Sequence, residues 1–465
     1  MPWSILPATS TMNTTLLSRK KSNTITTVRI FNPTGIYSLV AMVFFAALFA
    51  IGLFFNKAIF ATLLVGGFSI YGIYSLNRHD YGGWFSVVCF FCGAESILRN
   101  GLPAAYMFLF FFLVISGLLF CFNHAPSQRF KILSATGFIL LLTLLHFLHL
   151  DLQELRFGIG KSGLIWAGLF FGMWISQSLK LNLQFYDFIW FYMLGAVTVL
   201  FSFLIAPQYF EGRYWPTFDG TGPVAASTGL LVLVLVQQVN TRQWVSNKNI
   251  LLGFLLIMCT IALVMLGSRG TFLGLAVATV FFLFTMRGFW NKVLISFAIV
   301  IMIGLIYYID QSSLGNKVLS SRVEEATEEN SREGRKFINS AVLLAFPEDP
   351  IFGKGTGSWR HYNNQYIAAV FDRSRYPKDL IMTDAHNTTL HLLFEHGIIG
   401  VGLFLGAIFF LVRRGYSLSR YTGIFILPLV LFSFTLGLST MHKQASMFLP
   451  FFIAMAHLSI TSKKS

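Results

Sequence analysis

Two arginines and one histidine in this 465-residue chain occur in patterns that suit phosphate and hydroxyl chemistry. Arg269 lies beside Gly270 between two apolar stretches, and Arg335 follows Gly334 directly before an apolar run. A guanidinium forms bidentate hydrogen bonds with phosphate oxygens and stays positively charged at physiological pH. His386 begins a polar segment that runs into another apolar stretch, and a neutral imidazole accepts a proton from a hydroxyl near pH 7. These residues predict a site that neutralises phosphate and activates a hydroxyl.

Each candidate also has a structural interpretation that the residues alone leave open. An arginine at a membrane boundary anchors a helix end, and Arg335, with Arg332 nearby, suits the solvated face of an amphipathic helix. A histidine at a helix start is often structural. Glu395 lies about two turns inside a long apolar stretch, where an ionisable residue is costly and needs a partner or a role. We expect Glu395 to orient the loop before it, or His386.

A metal site is not predicted. His386, His391 and His396 are spaced by five residues, whereas ligands on one face of a helix are three or four apart. The sequence contains neither an Asp-x-Asp pair suited to a nucleotide-sugar metal site nor a phosphate-binding P-loop. We therefore expect no metal and no cofactor.

The composition identifies the elements that must position these residues. Hydrophobic residues make up 55% of the chain and charged residues 11%, against about 25% charged in soluble domains. Apolar stretches of about 18 residues recur, each long enough to cross a hydrocarbon core of about 30 Å as a helix. The net charge is +15, and the charged residues lie between the apolar stretches, where basic residues set the orientation of membrane helices. A nucleic-acid partner is therefore not expected. All four cysteines lie in apolar segments, and no disulfide is implied.

The predicted fold is an all-α polytopic membrane protein with about 12 to 14 transmembrane helices. We divide it into a cytoplasmic tail (1–35), a transmembrane region (36–309), a large polar loop (310–385) and C-terminal transmembrane helices (386–461). The predicted spans are 36–55, 58–76, 83–98, 102–122, 132–149, 163–179, 186–206, 223–239, 249–266, 271–286, 292–309, 387–412, 421–438 and 445–461.

The short connections carry more Lys and Arg on one side than on the other, which places both termini in the cytoplasm and the 310–385 loop outside. A connection this long is functional or disordered. Its apolar run 337–346, ended by Pro347 and Pro350, predicts a helix, and the glycines of 353–357 predict a turn. We expect a small folded cap.

Together these segments resemble the O-antigen ligase/polymerase superfamily of membrane glycosyltransferases. The resemblance extends from Arg213 onward, while the earlier spans match only in hydrophobicity. After Arg213 the family often has Asn-Pro-Asn, but this chain has Asp219 to Pro223, which departs from the pattern. The matching motifs are Ser268-Arg269-Gly270, Gly334-Arg335, Pro350-Ile351-Phe352-Gly353-Lys354-Gly355, His386-Asn387-Thr388-Thr389-Leu390 and Glu395-His396-Gly397-Ile398-Ile399-Gly400.

The resemblance implies a GT-C-like enzyme of the bacterial inner membrane that takes a glycan from undecaprenyl pyrophosphate on the periplasmic side. Arg269 and Arg335 would neutralise the pyrophosphate, and His386 would take the acceptor's proton during an inverting displacement. No metal or nucleotide sugar would be needed. The residues expected to bind substrate are Arg213, Arg332, Asn387 and Glu395.

The acceptor remains open within the family. We favour lipid A–core, as in an O-antigen ligase, because the chain ends soon after its last predicted span. The alternatives are a growing glycan chain, as in a polymerase, and a protein Ser or Thr, as in an O-oligosaccharyltransferase. A glycolipid transporter is a remoter alternative. It predicts ionisable residues near the membrane midplane and broken helices.

Overall fold

The computed structural model describes residues 36–78, 81–101, 185–210, 213–216, 221–238, 246–285, 289–312, 317–318, 320, 338–370, 387–418 and 431–432. Apart from one short hairpin, its regular elements are helices. The helices are α1 (Ile36–Phe55), α2 (Lys57–Asn77), α3 (Tyr81–Gly101), α4 (Phe185–Ile205), α5 (Thr221–Gln238), α6 (Asn247–Leu266), α7 (Arg269–Thr285), α8 (Phe289–Gln311), α9 (338–345), α10 (Ser358–Val370) and α11 (Thr388–Leu418).

The all-α membrane fold is confirmed. Nine of the predicted spans coincide with described helices, with boundaries that differ by a few residues. Four described helices, α1, α2, α6 and the first part of α11, are long and apolar enough to cross a membrane. The predicted spans at 102–122, 132–149, 163–179 and 445–461, and nearly all of 421–438, lie outside the described residues. The total helix number and the domain boundaries therefore stay predictions.

The helix ends follow from local side chains. Asn56 precedes α2, and its side-chain oxygen accepts a hydrogen bond from the Ile59 N–H at 3.1 Å. Ser246 caps α6 in the same way, through a 3.2 Å bond from the Asn249 N–H. These oxygens satisfy N–H groups that have no partner in the first helical turn. At its other end, α6 stops at Gly267 with a φ of 59°, the left-handed conformation common after helices.

Two glycines allow α3 and α4 to pack with their backbones in direct contact. A Cβ atom on Gly93 would lie 2.2 Å from the Tyr192 carbonyl oxygen, and one on Gly195 would lie 2.5 Å from the Phe90 carbonyl oxygen. Small residues permit such close packing in membranes, where helices have no hydrophobic drive to associate. The surrounding core is apolar and contains the buried thiols of Cys89 and Cys92.

A hairpin between α4 and α5 was not predicted from the sequence. Strands β1 (Pro207–Phe210) and β2 (Arg213–Pro216) pair antiparallel, with Arg213 opposite Phe210, and β2 packs against α5 and α6. The strands are four residues each, and a proline lies at the start of one and the end of the other, so their sequence signal is weak.

The described part of the 310–385 loop has its own small core. Helix α9 confirms the predicted helix at 337–346, turns follow it, and α10 then packs against α11. Helix α10 was not predicted, because half of its residues are polar. The buried residues of this core are Ile338, Ala341, Val342, Ala345, Trp359, Tyr366 and Phe394. The last of them belongs to α11, so the folded cap rests on the start of a membrane helix.

Candidate functional site

Helix α11 begins at a capping asparagine. The Asn387 side-chain oxygen accepts a hydrogen bond from the Leu390 N–H at 3.1 Å, and its carbonyl accepts one from the His391 N–H at 2.9 Å. Asparagine is among the preferred residues at this position because its side chain replaces a missing helical partner. The cap fixes the chain direction immediately after His386, which itself lies outside the described residues.

Gly397 breaks the helical backbone of α11, with φ 62° and ψ −162°. In an uninterrupted helix the N–H groups of Ile398 and Ile399 would donate to the carbonyls of Phe394 and Glu395. The kink removes these bonds and leaves two donors and two acceptors to be satisfied. An unpaired backbone group away from water costs free energy comparable to a lost hydrogen bond.

A segment of the loop supplies all four partners, and we call residues 350–355 the docking turn. The Pro350 and Ile351 carbonyls accept from the N–H groups of Ile398 (2.9 Å) and Ile399 (3.2 Å). In the other direction, the Lys354 N–H donates to the Phe394 carbonyl and the Gly355 N–H to the Glu395 carbonyl, each at 2.9 Å. The loop and the kinked helix are therefore joined backbone to backbone.

Glycine is required on both sides of this junction. Gly353 and Gly397 have φ values of 71° and 62°, in the region that other residues rarely adopt. A Cβ on Gly353 would lie 2.5 Å from the Glu395 carbonyl carbon, and one on Gly397 would lie 2.4 Å from the Ile351 carbonyl oxygen. Side chains at these positions would push the loop off the helix.

Glu395 lies inside this junction and is 1% exposed. Its Oε1 atom lies 3.1 Å from Nε2 of His391, which is fully buried one turn earlier on the same helix face. Its Oε2 atom lies 4.0 Å from Nε2 of His396. One polar partner of Glu395 is thus a histidine of its own helix. The signal in the sequence is the spacing of four residues between His391 and Glu395, which places them on one face.

Lys354 closes the docking turn from outside. Its ammonium lies 2.6 Å from Glu348 Oε2 and 3.0 Å from Asp349 Oδ2, and Tyr366 of α10 donates to the same Glu348 carboxylate. Hydrogen bonds from Lys354 and Tyr366 hold the pKa of Glu348 below its usual value. Burial lowers the pKa of Lys354, but its hydrogen bonds with Glu348, Tyr366 and Asp349 outweigh this effect and raise the pKa overall.

Arg269 is the first residue of α7 and is half-buried. The turn before it is ordered by Ser268, whose hydroxyl lies 2.9 Å from that of Thr271 and whose carbonyl accepts the Thr271 N–H at 3.1 Å. With Gly267 in the left-handed conformation, this turn ends α6 and places Arg269 at the start of the next apolar helix.

The structure places the other predicted residues unevenly. Asn387 caps α11, and Glu395 lies in the first turns of the helix, beside the docking turn. Arg213 is the first residue of β2. Arg332, Arg335 and His386 lie outside the described residues. Among the described residues, no group of three or more His, Cys, Asp or Glu side chains is arranged to hold a metal ion.

Residues 254–405 match a family model described as O-antigen ligase, whereas no curated protein matches the chain significantly. The matched segment runs from α6 through Arg269, the loop and the kink of α11. It therefore contains the turn before α7 and the whole junction between loop and helix, and in this segment the chain is similar to the O-antigen ligase family.

Proposed function

We propose that this protein is a membrane glycosyltransferase that moves a glycan from undecaprenyl pyrophosphate to the hydroxyl of lipid A–core. The observation that carries the proposal is the junction of docking turn and kinked helix, which lies within the family match at 254–405. Its backbone hydrogen bonds join two of the family-like motifs, 350–355 and 395–400.

The helix connections support a common location for the site residues. Only Gly267 and Ser268 separate α6 from α7, and α8 contacts α6. If α6, α7 and α8 cross the membrane in alternate directions, the end of α6, the start of α7 and the end of α8 share one side, and the loop leads from there to the start of α11. We assign this side to the periplasm, because a loop of this length is exported while short connections retain their basic residues inside.

The proposed reaction is a single displacement. Arg269 and Arg335 bind the pyrophosphate and stabilise the negative charge that builds up as the bond from the anomeric carbon to the phosphate oxygen breaks. His386 takes the proton of the acceptor hydroxyl while the hydroxyl oxygen bonds to the anomeric carbon. Undecaprenyl pyrophosphate leaves, and the anomeric configuration inverts. Arg213, Arg332 and Asn387 complete the proposed binding site, and Glu395, which is 1% exposed, supports it from within the protein. No metal or cofactor takes part.

The test uses purified protein with undecaprenyl-pyrophosphate-linked glycan and each of three acceptors: lipid A–core, a second lipid-linked glycan, and a pilin-like protein. We expect glycan on lipid A–core, with activity that survives EDTA. Transfer only to the second glycan would make the protein a polymerase, and transfer only to the protein an O-oligosaccharyltransferase. If wild-type protein transfers glycan to none of the three, the proposed function is wrong.

A deletion strain gives an independent test in cells. A ligase predicts that the long lipopolysaccharide bands disappear while long chains accumulate on undecaprenyl pyrophosphate. Core lipid bearing a single repeat unit would indicate a polymerase, and an unchanged band pattern would rule out both activities on lipopolysaccharide.

A further inference from the structure

We propose that His391 is a positioning residue for the transfer reaction, acting through Glu395 on the start of α11. The inference rests on the proposed function and deepens it. His391 is fully buried, so it acts through its contacts within the protein and not by touching substrate.

His391 is poorly explained as a packing residue. Its Nε2 atom faces the Glu395 carboxylate at 3.1 Å, and its ring lies near that of Trp359, with 6.3 Å between the ring centres. Within the described part of the chain, neither of its ring nitrogens makes an aligned hydrogen bond. A leucine would fill this position without the cost of burying two polar atoms. We therefore attribute the presence of histidine at this position to its contact with the Glu395 carboxylate.

This contact connects the two ends of the junction. On one side, the carbonyl of Glu395 accepts the Gly355 N–H of the docking turn. On the other, the His391 N–H donates to the carbonyl of Asn387, which caps α11 and directly follows His386. The pair of side chains thus spans from the docked loop to the first turn of the helix. Because His386 is the proposed base, a small shift of this turn would move its imidazole relative to the acceptor hydroxyl.

Of the two histidines near the Glu395 carboxylate, His391 makes the closer contact. His396 lies farther from the carboxylate, at 4.0 Å, and is 11% exposed. The ammonium of Lys354 is held on the outer side of the junction by Glu348 and Asp349. From α10, the groups packed nearby are the aromatic rings of Trp359 and Tyr366, and the Tyr366 hydroxyl donates to Glu348.

The test separates positioning from stability by comparing His391→Leu with the double variant His391→Leu/Glu395→Met. The single variant leaves a buried carboxylate without its histidine and should lower the melting temperature. The double variant removes both polar groups, so its melting temperature should recover. We expect its kcat for transfer to stay at least about 10-fold low, with the donor KM within about 2-fold of wild type. Recovery of kcat together with stability would overturn the inference.

A conservative variant decides the matter if the double variant does not fold. His391→Gln keeps an N–H donor that can reach the carboxylate and should retain kcat within about 3-fold of wild type. His391→Gln protein that is folded but as inactive as His391→Leu would also overturn the inference. His361→Leu, on the exposed face of α10, is the matched control and should behave as wild type. Transfer by wild-type protein, required in every series, tests the proposed function separately.

Discussion

The backbones of Gly353 and Gly397 lie directly against each other, and neither position has room for a Cβ atom. A Cβ on Gly353 would lie 2.5 Å from the Gly397 nitrogen, and a Cβ on Gly397 would lie 2.8 Å from the Gly353 nitrogen. Both residues have positive φ. The contact fixes the extramembrane loop onto a membrane helix at the point where that helix is broken.

Gly353→Ala and Gly397→Ala should each lower transfer by at least about 10-fold. Either change adds backbone strain and a clash worth roughly 1–3 kcal/mol each. Because the clash is with backbone, relief requires the docking turn to leave α11. Initial rates with the lipid-linked donor measure the effect. Gly402→Ala, five residues after the kink with open space around its Cβ position, is the control and should keep wild-type activity. Full activity of Gly353→Ala would contradict the proposed role of the junction.

Replacing the proposed reacting groups should abolish transfer without preventing insertion. Arg269→Ala, Arg335→Ala and His386→Ala should each lower kcat by about 10²–10³-fold, the usual cost of losing a charge-stabilising group or a general base. Arg78→Ala is the control, because this exposed arginine lies over the Tyr74 ring at the end of α2, away from the family match. Three variants that insert and keep full activity would rule out the mechanism.

The described membrane helices follow from the sequence, whereas the junction does not. Hydrophobicity and length locate α1, α2 and α6 because each helix satisfies its own backbone within lipid. The docking turn satisfies the backbone of another element that is distant in the chain, and no local pattern encodes that pairing. The glycines of 353–357 predict a turn but not its partner. The sequence predicts that Glu395 needs a partner, but it does not predict that His391 lies close enough to contact the carboxylate.

The packing of α3 on α4 gives a prediction about stability. Gly93→Leu and Gly195→Leu should each separate the two helices, because the added side chain would meet backbone of the neighbouring helix at less than 3 Å. We expect a loss of several kcal/mol and a clearly lower melting temperature in detergent. Gly67→Leu in α2, where nothing lies within 4 Å of the Cβ position, should leave the melting temperature unchanged. Equal melting temperatures for all three variants would mean that α3 and α4 are not packed as described.

The orientation of the loop is testable by chemical labelling. Phe352 is 58% exposed in the docking turn, so a membrane-impermeant thiol reagent should label a Phe352→Cys variant in intact spheroplasts. Arg413→Cys, at the exposed opposite end of α11, should be labelled only after the cells are opened. The three described native cysteines are buried and should react slowly. The reverse pattern would place the loop in the cytoplasm and remove the basis for a periplasmic reaction.

The ion pairs of Lys354 should hold the docking turn over a broad pH range. The pKa of Glu348 is lowered from 4.5, so its contribution is present above that value and is lost as pH falls through the lower value. The pKa of Lys354 is raised from 10.5, so its contribution is present below that value and is lost only as pH rises beyond it.

Amide exchange of residues 354 and 355, corrected for the intrinsic rate, should therefore be constant between about pH 5 and pH 10. Lys354→Met should increase the amide exchange rate of these two residues by roughly 2- to 5-fold at pH 7. The effect is small because the partners Glu348 and Asp349 are half-exposed. Lys317→Met, at an exposed lysine outside this network, should leave the exchange rate unchanged. If exchange at residues 354 and 355 instead rose between pH 6 and pH 8, a group other than these would control the docking of the loop.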